Sequence, residues 1–140
     1  RKFGADLTIN PHSESLVKKV GEVTNGIGAD IVVVTAPNVK AFSDGIDVCR
    51  KGGTVCLFAP TSPNEYMRVS PHKLFFSEIT VIPSYSVCHI ETRTALELIS
   101  SDRMNAKELV THRFPLDRTA EAFQTAAKIK ECLKVVVLNE

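Results

Sequence analysis

The sequence predicts an α/β fold, a doubly wound parallel sheet in a three-layer αβα arrangement. Three observations carry this. Asp30 to Ala36, Thr54 to Ala59 and Ile79 to Ile82 are short β-branched runs without polar alternation, as expected of strands covered on both faces. Between the first two, Val39, Phe42, Ile46 and Cys49 recur at helical spacing. Strand, helix and strand in that order imply a parallel pair joined by a right-handed crossover.

Taken in order, Leu7 to Ile9 is a weaker strand, followed by a helix from about Ser13 to Thr24 with Leu16, Val17, Val20 and Val23 on its apolar stripe. The strand from Asp30 comes next, then a helix capped by Asn38 and ended by Gly52-Gly53. After the strands from Thr54 and Ile79, two further helices are expected, Ile90 to Ile99 and Ala120 to Ala127, the second opened by Asp117 as a cap. Val135 to Leu138 closes the chain as a strand.

At 140 residues the chain is in the single-domain range, with 44% hydrophobic and 24% charged residues, which excludes a disordered or membrane class. The 17 basic and 16 acidic side chains nearly cancel and are scattered, so neither a nucleic-acid nor an anionic-membrane partner is expected. The apolar stretch Ile31 to Val34 is far short of the roughly 18 residues of a membrane span. Cys49, Cys56, Cys88 and Cys132 have no C-x-x-C spacing, which argues for reduced thiols in a cytoplasmic protein. A sequence opening on Arg1 reads as a fragment.

In doubly wound sheets, ligands sit at the carboxyl ends of the strands. The loops concerned are Thr35-Ala-Pro-Asn38, Phe58-Ala-Pro-Thr-Ser-Pro63 and Pro83-Ser-Tyr-Ser86. They offer backbone groups, hydroxyls and apolar walls suited to a flat neutral ring, and no obvious proton-transfer machinery. Gly26-Ile-Gly28 precedes a strand, whereas a phosphate-binding turn follows one, so it reads as a helix-to-strand turn. Cys88-His89 reads as a loop-to-helix junction, since adjacent side chains do not generally aim at each other. His12, His72 and His112 are isolated, and no bound metal is expected.

Lys2 to Asp6, Gly26 to Asp30 and Gly52 to Val55 resemble the second half of the cofactor domain of medium-chain dehydrogenases. Val110 to Leu116, Glu121 to Phe123 and Leu133 to Val136 resemble the C-terminal signature of that family, especially its zinc-type polyol members such as sorbitol dehydrogenases. The resemblance implies a partial Rossmann domain over residues 1–84 and a segment completing the catalytic domain over residues 85–140. It also implies a parent enzyme passing hydride from a secondary alcohol or polyol to NAD or NADP, with zinc held by residues absent from this chain and the isolated chain inactive.

By the same resemblance, Thr35 and Ala36 match a loop near the adenosine side of the cofactor, and Phe58 and Ala59 the backbone that holds the nicotinamide carboxamide. Tyr85 matches an aromatic beside the nicotinamide, and Lys134 a basic residue that pairs with the pyrophosphate. Pro37, Ala59 and Pro83 stand where the family usually has glycines, and a Cβ or ring there obstructs close backbone approach. Two other readings therefore stay open, a noncatalytic α/β assembly or ligand-binding module and a zinc-independent reductase of the same superfamily. In the strand order 3-2-1-4-5-6, the strand from Leu7 is orphaned and the strand from Asp30 exposes an apolar edge, so a homodimer or higher oligomer, or a swapped assembly, is expected. The last Rossmann strand, Ile79 to Ile82, offers a second route to association, as it does in relatives.

Overall fold

Ser15 starts the first helix: its side chain accepts the Lys18 amide at 3.3 Å, and α1 runs Leu16–Val23. The computed structural model describes residues 3–128 and 132–139; Lys2, which opens the Lys2 to Asp6 run, and the terminal Glu140 lie outside the described residues. Thr24 closes α1 and turns the chain. Its hydroxyl donates to the Val20 carbonyl at 2.7 Å and accepts the Gly28 amide at 2.9 Å. Gly28 has φ +97, and a Cβ there would lie 2.9 Å from the Val48 carbonyl oxygen, so only glycine fits this helix-to-strand turn.

β1 (Ala29–Val34), α2 (Val39–Val48) and β2 (Cys49–Leu57) form the expected parallel unit. Asn38 caps α2 by accepting the Ala41 amide at 2.8 Å. Gly52-Gly53 does not end this helix. Cys49 is already extended, and the glycines sit inside β2 in a bulge: Ala29 pairs with Cys49, yet Ile31 pairs with Thr54. A Cβ on Gly53 would fall 2.6 Å from the Cys49 sulfur and 2.9 Å from the Arg50 carbonyl, so the bulge requires the glycine.

β3 (Thr80–Pro83) pairs parallel to β2 and completes the order β1-β2-β3. It is preceded by α3 (Pro71–Ser77), which the apolar pattern did not reveal; Ser70 as cap and Pro71 in the first turn were its signal. Leu7 to Ile9 is not a strand. Among the described residues no strand lies beside it, and an extended segment without a ladder partner keeps its amides in water. Val34, Ile46 and Val55 form the core between sheet and α2, and α1 packs on α2. On the other face of the sheet Val33, Cys56 and Ile82 share a row, with Ile31 at 68% and Val33 at 54% exposed.

The chain divides into two compact units, Arg1–Ser86 and Val87–Glu140. In the second, α4 (His89–Ser100) begins with a reciprocal cap. The Cys88 sulfur accepts the Ile90 amide at 3.5 Å and the Glu91 carboxylate accepts the Cys88 amide at 2.9 Å. Cys88-His89 is thus a helix junction. β4 (Val110–Pro115), which was not anticipated, pairs parallel to β5 (Lys134–Leu138), with α5 (Thr119–Ala126) between them in sequence. Asp117 does not cap α5. It sits in a 3-10 turn, Leu116–Arg118, and the helix start is held instead by the Thr119 hydroxyl on the Leu116 carbonyl at 2.5 Å and by the Arg118–Glu121 ion pair.

Candidate functional site

Because β1, β2 and β3 are parallel, their carboxyl ends open on one edge of the sheet. There, inside the first unit, lies a cavity of about 590 Å³. Phe42 of α2 and Met67 form part of its wall, and the segments Leu57 to Thr61 and Pro83 to Ser86 form its mouth. Backbone clips fix these segments. The amides of Phe58 and Ala59 both donate to the Val34 carbonyl at 3.1 Å, tying the end of β2 to β1, and the Ser84 amide donates to the Leu57 carbonyl at 2.9 Å.

Phe58, Ala59 and Tyr85, three of the residues expected at a ligand site, are brought together here. Tyr85 is 96% exposed. Thr35 and Ala36 follow β1 on the same sheet edge, are exposed, and do not line the cavity. Lys134 opens β5 in the second unit.

Sequence reasoning missed Phe42, Met67 and Glu65 as wall residues. Phe42 carries only the signal of a helix stripe, and Ser62-Pro63-Asn64 mark a turn before Glu65 without marking its place in the wall. That turn is closed twice: the Glu65 amide donates to the Ser62 carbonyl at 3.0 Å, and the Ser62 amide donates to the Glu65 carboxylate at 2.9 Å.

The walls are apolar, and Glu65 supplies the one formal charge among the lining residues. Hydroxyls of Thr61, Ser84, Tyr85 and Ser86 complete the polar inventory. Such a crevice can hold a flat ring and offer it hydrogen bonds; a general base with a partner to orient it is not part of it. Among the described residues, no three His, Cys, Asp or Glu side chains gather where they could hold a metal ion, and no helix is long and apolar enough to cross a membrane.

Parallel strands with a ring-sized apolar crevice at their carboxyl ends are the geometry of the cofactor layer of a dehydrogenase, and the sequence agrees. A profile of the zinc-binding dehydrogenase family matches residues 1–101, and the chain belongs to that family. Among curated relatives, the sorbitol dehydrogenase of Halalkalibacterium halodurans is 32% identical over 98% of this chain and 39% of its own. The D-arabitol-phosphate dehydrogenase of Enterococcus avium is 30% identical over 98% of this chain and 38% of its own. An alcohol dehydrogenase from Thermotoga maritima shares the fold with a TM-score of 0.88 at 24% identity, over 98% of this chain and 38% of that one. A zinc-binding dehydrogenase from Sinorhizobium meliloti, solved with NADP bound, superposes with a TM-score of 0.86 at 23% identity, over 98% of this chain and 40% of that one. The chain thus spans about two fifths of the length of the relatives it matches.

Proposed function

We propose that this chain supplies the nicotinamide-side wall of the cofactor pocket in an NAD- or NADP-dependent, zinc-type alcohol or polyol dehydrogenase, and that alone it does not turn over substrate. The observation that carries this is the apolar cavity at the strand ends, in a chain of this family, with Phe58, Ala59 and Tyr85 on its lining. When bound, the cofactor supplies the hydride acceptor, and the zinc is held by residues other than those of this chain.

The chain's own residues have narrower tasks. The amides of Phe58 and Ala59 are spent on Val34, so what this backbone offers a carboxamide is carbonyl oxygens, acceptors for its NH2 group. Tyr85 lies against the ring and excludes water from one side; Phe42 and Met67 close the floor. Thr35 and Ala36 border the adenosine side, and Lys134 pairs with the pyrophosphate. Residues 1–84 act as part of the Rossmann domain and residues 85–140 as part of the catalytic domain. The uncovered Ile31 and Val33 face supports association into a homodimer or higher oligomer.

Saturation-transfer NMR with NAD and NADP tests the reading. Strong transfer to the nicotinamide protons and weak transfer to the adenine protons, lost in Phe58→Ala, is the expected result. Transfer to adenine alone overturns the placement. No transfer to either cofactor favours the noncatalytic alternative, which Pro83 at the cavity mouth, a ring where close backbone approach is needed, supports.

A further inference from the structure

The nicotinamide ring exists in two forms of nearly equal shape, a pyridinium cation when oxidised and a neutral dihydropyridine when reduced. A pocket that reads shape alone holds both equally. Here the lining contains Glu65, with no lysine, arginine or histidine to balance it. Among the described residues Glu65 joins no ion pair. Its carboxylate is held in place, since one oxygen accepts the Ser62 amide at 2.9 Å while the backbone of the same turn closes at 3.0 Å. Phe42, Leu57 and Met67 beside it are half-buried while Glu65 itself is exposed, so its charge reaches the crevice partly screened by solvent.

We propose that Glu65 makes this pocket select by redox state, favouring the oxidised, cationic ring over the reduced, neutral one. The inference rests on the proposed placement of the nicotinamide in the cavity. Glu65 is then a specificity-determining residue that acts through its charge and not through contact chemistry. The backbone turn that holds it needs only an acceptor at the side chain, which glutamine also provides.

The test uses the chain itself and a ring pair that needs no phosphate cradle, 1-methylnicotinamide and 1-methyl-1,4-dihydronicotinamide, each titrated by amide chemical shifts in mildly alkaline buffer. At low salt the cation is expected to bind about two- to fivefold tighter, the size of one partly screened charge pair. The preference shrinks at about 1 M salt, where the Debye length is about 3 Å. Glu65→Gln abolishes it and leaves the affinity for the neutral ring unchanged. Equal affinities in the unaltered chain, a preference indifferent to salt, or a preference kept in Glu65→Gln each overturn the proposal. If neither ring shifts the amides around Phe58 and Tyr85, the placement of the nicotinamide falls, and this inference with it. Should the variant not fold, the salt series on the unaltered chain decides alone.

Discussion

Replacing Val55 by Ala measures how much of this fold's stability sits in one side chain of β2. Val55 is 0% exposed and packs with Val34 and Ile46 against α2. Truncation removes two methyl groups, about 1.6 kcal/mol of transfer free energy at about 0.8 kcal/mol each. The void left behind, on the order of 40 Å³, adds roughly 1 kcal/mol at about 24 cal/mol per Å³. A loss of about 2.5 kcal/mol is expected, read as a lower midpoint in urea unfolding with unchanged slope. The informative control is Phe75→Ala, because Phe75 is far larger and yet 76% exposed on α3. Its truncation forfeits a small share of transfer free energy and opens no cavity, so a cost below about 1 kcal/mol is expected. Size alone predicts the reverse order. If Phe75→Ala proves the costlier change, that face of α3 is covered in solution, and the packing described above is not what stabilises the chain.

Other outcomes follow from the sheet, the thiols and the capping box. Ile31→Glu places a charge on the uncovered face of the sheet and is expected to shift the chain toward monomer by light scattering; an unchanged mass would clear that face of any part in association. Cys88 is exposed and Cys49 half-buried, so iodoacetamide should modify Cys88 first, as peptide mapping by mass spectrometry would report. Burial raises the Cys49 thiol above its ordinary 9.0, so the folded state favours the protonated form. Stability from this group is full below 9.0 and is lost as pH climbs through the raised value; a Cys49→Ser chain should lack that alkaline loss. The Cys88 side-chain hydrogen bond, with help from backbone amides, holds the Glu91 carboxyl below its ordinary 4.5. Its capping is therefore present above 4.5 and lost as pH falls through the depressed value, seen as faster amide exchange at the start of α4.

The elements that the sequence disclosed were those whose local chemistry and tertiary setting agree. β-branched runs at Ile31 to Val34 and Thr54 to Leu57 became paired strands, and Asn38 capped the helix between them. Where the two disagreed, the reading failed for identifiable reasons. Gly52-Gly53 carries the same signature at a helix end and in a bulge, and only the five-residue excursion of β2 against two residues of β1 distinguishes them. Leu7 to Ile9 has strand composition, but a strand exists only beside another. In β4 half-buried and exposed positions alternate from Val110 to Pro115, but His112 places a polar residue at a half-buried position and masks the period. At the site, Phe58, Ala59 and Tyr85 were legible because they follow strands directly. Glu65 was not, since it reaches the cavity from the middle of a connecting segment whose path no periodicity encodes.

The proline at the end of β3 has a consequence for how copies of this chain can meet. Ser84 donates inward to Leu57, so by alternation the Pro83 position faces away from β2, where it removes the amide that an added strand would need. Val81 is left as the outward donor of a four-residue strand, while six-residue β1 on the opposite side contains no proline. The β3 edge thus offers an added strand fewer donors than the β1 edge does, and Ile79 to Ile82 is the poorer of the two routes to association expected from the sequence.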